Sequence, residues 1–558
     1  MNIGGLASSI LAVCALGLAL SRVWVADDAY ITFRHINQFL AGNGLTYNTL
    51  EHVEGFTHPL WALLLCFFGW LGAPISGTAV TMNLLCAAAL LAAVVWSDGE
   101  HGPLGIALLV SCSGFIDFAT SGLETPMTMA FIYAAYQTPR ILSRPAGTGT
   151  ALGLAYLCHP DVAVLGLAAF LMALSEATAL GWRRSLRDLA RFLAALVSAP
   201  LLWHVFRLGY YGDLLPNTYY AKNGGSYWSQ GFAYVLDFAT YAPLSALGLL
   251  WLASLATLDV SQTHAVVEAN REPRFRRAFG LLAIVLHIVV VARVGGDFMG
   301  FRLLLPDLAA VVALCAGSLK RLPEATRPVA QTGLFAAALG SLFVQPTPPH
   351  ERDLIVNERL NFASAFTKAS DAFTGRPRHL WWNEGRLFRS FQECIGEPDL
   401  LVEYPNIGYY GVAAGTRVSV IDGNGLVDRF VARNWAARKD VPRGRPGHEG
   451  KMTLEYAVTR NIHFVREMFE PFNSTMATDY GFLLSFDPRV LCTLPGKADA
   501  LRDLKQKLLA SSTAKSLDTL QFLERLERRD GVRIDDLCRG QEFPDCSPAG
   551  MTRAAKGR

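Results

Sequence analysis

The sequence predicts a mainly α, polytopic membrane protein: a transmembrane helical bundle followed by a smaller α/β domain. Three observations predict it. The chain of 558 residues is 51% hydrophobic and only 17% charged, too apolar for an ordinary soluble protein of this length. Apolar runs recur through residues 1–345 and give about eleven candidate spans. At Gln345 to Leu354, "QPTPPHERDL", the composition shifts sharply to that of a water-soluble domain. The net charge of +3 points to no nucleic acid partner, and the informative charges are those that fall between apolar runs.

In chain order, Ile3 to Val25 is long enough to cross ~30 Å of hydrocarbon and lacks a small-residue cleavage site, so it reads as a retained first helix and not a removed signal peptide. Further runs follow at 59–73, 78–96, 104–117, 125–138, 149–180 (broken at His159-Pro160), 190–208, 241–258, 278–292, 303–319 and 329–344. Arg183, Arg184, Arg187 and Arg191 cluster in one loop, Arg271, Arg274, Arg276 and Arg277 in a second, and Lys320, Arg321 and Arg327 in a third. By the positive-inside rule these loops are cytoplasmic. Loops 209–240 and 293–302 and everything after 345 then lie on the outer face, joined by 26–58 if the intervening crossings are odd in number. Trp24 and Trp61 are expected in the interfacial aromatic belt.

The domain division that follows is 1–345 membrane, 346–547 soluble α/β, and 548–558 a flexible basic tail. In the soluble part "VSVIDGNGLVDRFVARN" alternates into a turn-forming Asp-Gly-Asn-Gly and predicts a strand followed by a helix. Helical periodicity marks 353–374 and 498–529. Cys14, Cys66, Cys86, Cys112, Cys158 and Cys315 sit in apolar runs, where Cys acts as a small hydrophobe. Cys394, Cys492, Cys538 and Cys546 fall in the soluble part; three pairings are possible, and the spacing of Cys538 and Cys546 suggests a short local loop. No CxxC or HxxxH spacing supports the competing zinc reading, and no residue pattern assigns a metal.

The outer loops carry far more polar residues than solubility requires. Asp27, Asp28, Arg34, His35, Glu51, His52, Glu54 and His58 come from the first loop; "TSGLETP" adds Glu124, and "CHPD" adds His159 and Asp161. "YYGDLLPNTYYAKNGG" contributes Asp213, Asn217, Tyr219, Tyr220 and Lys222, and "RVGGDFMGFR" contributes Arg293, Asp297 and Arg302. Asp27, Ile31 and Arg34 share one helical face. For the Asp27–Asp28 pair, helix capping competes evenly with catalysis, and one acid can cap while its neighbour faces a cavity. His159-Pro160-Asp161 reads as a helix break with a capping Asp ahead of direct chemistry. Arg293, Arg302 and Lys222 are either headgroup anchors or ligands.

The stretches "DDAYITFRHINQFLAGNGLTYNTLEHVEGFTHPLW", "SGLET", "YYGDLLPNTYYAKNGG", "GGDFMGFRLLLPDL", "NIGYYGVAAGTRVSVIDGNGLVDRFVAR" and "RPGHEG" resemble the bacterial GT-C membrane glycosyltransferases of the mycobacterial arabinofuranosyltransferase type. The resemblance runs from Asp27 to about Gly450 and is most specific in its first motif. It implies a multi-pass enzyme of the bacterial inner membrane, its C-terminal domain extracytoplasmic, taking a sugar from a polyprenyl-phosphate donor for a glycan, glycolipid or protein acceptor. Asp27 and Asp28 become the catalytic candidates. Two departures stand out: His58 where Asn or Ser is usual, and His159 where the group has an arginine.

The chemistry agrees. A polyprenyl phosphate departs already ionised, so the donor side needs cations more than an acid, and Arg34, Lys222, Arg293 and Arg302 are the candidates. The acceptor hydroxyl must lose a proton, which one carboxylate can take. Arg34, Glu54, His58, Glu124, His159, Asp161, Asn217, Tyr220, Lys222, Arg293, Asp297 and Arg302 together form the expected substrate and donor set. A transporter or flippase of a lipid-linked sugar would place polar residues at mid-membrane between inverted repeats, and an anchored glycan-binding protein would need one span.

Overall fold

The first apolar run folds as helix α1 (Ile3–Ser21), which leads through an extended link to α2 (Asp27–Leu40). The structure, a computed structural model, describes residues 3–98, 103–138, 140–222, 226–261, 276–344, 348–396, 398–434, 447–448, 452–466 and 477–556. The helices that follow are α3 (Pro59–Trp70), α4 (Ile75–Asp98), α5 (Leu104–Val110), α6 (Ser113–Phe118), α7 (Thr125–Tyr136), α8 (Pro145–Cys158), α9 (Ala163–Leu180) and α10 (Trp182–Tyr211). After them come α11 (Asn217–Lys222), α12 (Trp228–Tyr241), α13 (Pro243–Ser261), α14 (Arg276–Val294), α15 (Leu305–Cys315) and α16 (Arg327–Phe343). Arg271 and Arg274 of the second arginine cluster lie outside the described residues.

Among the described residues five helices are long and apolar enough to cross a membrane: α1, α4, α9 with its preceding turn, α10 and α14. The pair α12 and α13 passes the same test together but is bent by 101°. The remaining runs fold as shorter helices. α3 has 12 residues, about 18 Å at ~1.5 Å per residue, short of ~30 Å of hydrocarbon. It lies beside α2: His58 at its start meets Thr32, and Gly69 near its end packs on Leu40 and Ile36.

The run 149–180 is two helices and not one. At His159 the chain reverses, so the end of α8 meets Glu124 at the start of α7, while Glu176 on α9 accepts from Ile141 N and Leu142 N beside the start of α8. Proline after His159 removes the amide that would continue the helix. Trp24 and Trp61, expected in an interfacial belt, are both fully buried. Their indole N–H groups donate to the carbonyls of Asp117 and Gly122, so the polar edge that a belt position would wet is satisfied internally.

The C-terminal part has its own hydrophobic core. The hairpin of β1 (Glu351–Arg352) and β2 (Ile355–Val356) opens it, followed by α17 (Glu358–Phe362), α18 (Ala369–Thr374) and α19 (Leu380–Ile395). Then come β3 (Leu400–Glu403), α20 (Ile407–Ala414), β4 (Val418–Ile421), β5 (Phe464–Val465), β6 (Ala477–Thr478) and β7 (Gly481–Leu483). The sheet runs β4-β3-β5-β7-β6, its first two pairings parallel and the rest antiparallel. The predicted strand and helix around Asp-Gly-Asn-Gly are β4 and Arg429–Asn434. The periodicity at 498–529 is two helices, Lys497–Leu509 and Ala514–Asp530.

Two sequence expectations change here. Cys538 and Cys546 do not form a local loop; the disulfides are Cys394–Cys546 and Cys492–Cys538. The segment after Cys538 runs back to the core, where Cys546 N donates to Thr493 O and Tyr480 Oη donates to Cys546 O, bringing Cys546 to the end of α19. The basic tail expected to be flexible is helical over Pro548–Lys556, started by Ser547 accepting from Gly550 N and docked through Met551. Because Cys394–Cys546 spans 152 residues, replacing both with Ser is expected to cost about 5 kcal/mol by the loop-entropy estimate. A denaturant midpoint unchanged from the oxidised protein would contradict that.

Candidate active site

Adjacent residues on a helix point about 100° apart, and this divides Asp27 from Asp28. Asp27 starts α2 but caps a different helix. Its Oδ1 accepts from Tyr409 N at 2.6 Å and its Oδ2 from Gly408 N at 3.2 Å, at the start of α20. A Cβ at position 408 would lie 2.0 Å from the Asp27 carbonyl oxygen, so only glycine lets the two helices meet. Burial, only partly offset by these amides, pushes Asp27 up to about 7.

The face shared by Asp27, Ile31 and Arg34 packs on the C-terminal part of the chain. Ile31 belongs to the hydrophobic core there. Arg34, fully enclosed, donates to the carbonyls of Gly411, Gly415, Val418 and Tyr47. Asn48 pairs with both backbone groups of Val420, donating at 2.8 Å and accepting at 2.9 Å, and extends the edge of β4. Arg34 is therefore remote in role from donor binding.

Asp28 faces the opposite way, toward a compact set of charges. Among the described residues its carboxylate makes no hydrogen bond; burial raises it above the usual range, while Lys222 and Arg302 pull it back and Asp297 pushes it up. Lys222 Nζ stands 3.7 Å from Asp297 Oδ1, and Arg302 reaches Asp297 Oδ2 at 3.5 Å and Glu124 Oε1 at 3.1 Å. The other Glu124 oxygen is 2.9 Å from His58 Nδ1, and His58 Nε2 is held by Thr32 Oγ1 at 2.8 Å. Burial alone would raise Glu124, but His58, Arg302 and His159 hold it well below the carboxylate range. Asp297 is likewise held low, by Lys222 and Arg302 against burial. The two cations are thus fixed by Asp297 and Glu124 and not by Asp28.

A chain of this kind has named relatives. It is 31% identical to the terminal beta-(1->2)-arabinofuranosyltransferase of Mycobacterium tuberculosis, over 78% of this chain and 82% of that protein. The chain belongs to this arabinofuranosyltransferase family. A second member, the enzyme of the same name from Corynebacterium glutamicum, is 29% identical over 55% of this chain and half of its own length. No family model matches.

Within this family member the expected site residues fall into two groups. Asp28, His58, Glu124, His159, Asp161, Lys222, Asp297 and Arg302 are brought together. The others are placed elsewhere. Glu54 is locked to Arg207 at 2.5 Å and to Trp203; Asn217 donates to the carbonyls of Gly425, Leu426 and Asp428. Tyr220 stacks under Arg433 at 4.1 Å, and Arg293 is exposed at the end of α14. Gly224 and Gly225 lie outside the described residues, while Gly447 and His448 of "RPGHEG" pack on Lys222 and Phe298.

Sequence reasoning missed Glu358, Thr32, His287 and Asp307. Glu358, at the start of α17, is buried; that burial and the charges of Asp28, Asp27 and Asp297 push it far above the usual range. Nothing in its local sequence signals this. For His287 and Asp307 the signal was present: an ionisable residue inside each of two apolar runs.

Asp27→Asn is expected to cost roughly 1–3 kcal/mol, since an amide nitrogen would face a backbone N–H at α20, with transfer per folded molecule retained. Thermal unfolding beside a rate normalised to folded protein checks it.

Proposed function

We propose that this protein is a membrane glycosyltransferase of GT-C architecture that moves arabinofuranose from a polyprenyl-phosphate donor to an extracytoplasmic glycan or glycoconjugate, with Asp28 as the base. The observation that carries the reading is the contrast between the two acids: Asp27 is consumed by the amides of Gly408 and Tyr409, while Asp28 is free of hydrogen bonds among the described residues and faces Lys222 and Arg302. Family membership supplies the reaction class.

In this reading the departing polyprenyl phosphate is received by Lys222 and Arg302, already oriented by Asp297 and Glu124, so little reorganisation accompanies the growth of negative charge. His159, 3.8 Å from Glu124, stands where a third cation can reach the same phosphate. As the bond to phosphate breaks and the sugar gains oxocarbenium character, Asp28 takes the proton from the acceptor hydroxyl.

The test is transfer by the purified full chain in nanodiscs, supplied with synthetic polyprenyl-phosphate arabinofuranose and an arabinan oligosaccharide. The expected product is the oligosaccharide extended by one pentose. Absence of product, with the lipid-linked sugar instead crossing the bilayer of proteoliposomes, would establish a flippase.

A further inference from the structure

Behind His159 a line of titratable side chains runs into the helices, and the mechanism above does not use it. Asp307 on α15 stands 2.8 Å from Nδ1 of His287 on α14. Nε2 of His287 is 3.3 Å from Oδ2 of Asp161, whose Oδ1 holds Nδ1 of His159. The imidazole of His287 is 0% exposed and sits about 9 Å, six residues at ~1.5 Å each, below Arg293.

An ionised carboxylate only accepts hydrogen bonds, and a neutral imidazole has one N–H. With an ionised carboxylate at each ring nitrogen, His287 satisfies both as an imidazolium. Asp307 then offsets the charge of His287, which leaves Asp161 free to hold His159 through Nδ1. His159 is 17% exposed, so the far end of the line opens to the site beside Glu124 and Arg302, whereas His287 does not.

We propose that His287, held by Asp307, is a positioning residue that fixes Asp161 and thereby holds the His159 ring aimed at the phosphate of the donor. This rests on the transferase reading above. The competing role is a polar clamp that merely ties α14, α15 and the turn before α9 together.

The experiment uses the full chain in nanodiscs with polyprenyl-phosphate arabinofuranose. His287→Gln and Asp307→Asn are each expected to raise the donor KM about tenfold or more, with the acceptor KM unmoved. Adding His159→Arg to His287→Gln is expected to restore the donor KM, because the preorganised fork of a guanidinium needs no such hold; a clamp would not be rescued this way. Should His287→Gln fail to insert, Asp307→Asn and its His159→Arg double variant carry the same comparison. Wild-type transfer with an unmoved donor KM in the single variants, or without rescue by His159→Arg, overturns this proposal alone. Absence of transfer in the wild type overturns the transferase reading beneath it.

Discussion

Replacing Arg34 with Met is expected to destabilise the protein by roughly 3 kcal/mol or more, at ~1.5–3 kcal/mol for each charge-assisted hydrogen bond lost. The guanidinium is buried between α2 and the C-terminal domain, and its N–H groups end on four backbone carbonyls from two distant parts of the chain. Met fills much of the same volume, so the loss comes from carbonyls left dry and not from a cavity. Protease sensitivity of residues near Gly411 to Val418 should rise, and the unfolding temperature should fall. A donor-binding role for Arg34 predicts the opposite pattern: an unchanged unfolding temperature and a raised donor KM.

Asp28→Asn is expected to lower sugar transfer by about 10²–10⁴, the range associated with a positioned general base, while leaving stability nearly untouched. The amide has similar shape, and among the described residues no hydrogen bond to the carboxylate is lost. The pH dependence follows from the sign of the shift. A base works ionised, so the rate rises with pH through the pKa of Asp28. Burial raises that pKa, which places the acidic limb above the ordinary carboxylate range. Lys222 opposes the shift, so Lys222→Met is expected to move the limb to higher pH, and a limb that moves to lower pH would contradict the arrangement.

Much of the site was legible before the structure because its residues are polar where neighbours are apolar. Asp28, Glu124, Asp297 and Arg302 lie beside apolar runs and Lys222 in the loop between two of them, and the requirement for cations beside a departing phosphate selects Lys222 and Arg302. What the sequence could not separate was ligand from scaffold. Arg34, Glu54 and Asn217 have the same chemistry and loop setting as true site residues. Their fate depends on where a distant segment comes to lie, with Arg34 at Gly411, Glu54 at Arg207 and Asn217 at Gly425.

Asp27 does cap a helix, but that helix is α20, which only tertiary contact brings to it. Span assignment failed where apolar length was misleading. α3 is apolar enough to enter lipid but runs along α2, and the expected break at His159, counted within one span, reverses the chain. The cysteine pairing depended on a return of the chain to the core that no local spacing records.

The most direct measurement compares Asp27→Asn and Asp28→Asn in one preparation, recording the unfolding temperature and the transfer rate per folded molecule. The division of roles between the two acids predicts that Asp28→Asn unfolds like the wild type and is all but inactive, whereas Asp27→Asn unfolds earlier and still transfers sugar. An active Asp28→Asn protein, or an Asp27→Asn protein that is fully stable and inactive, would contradict the assignment of Asp28 as the base.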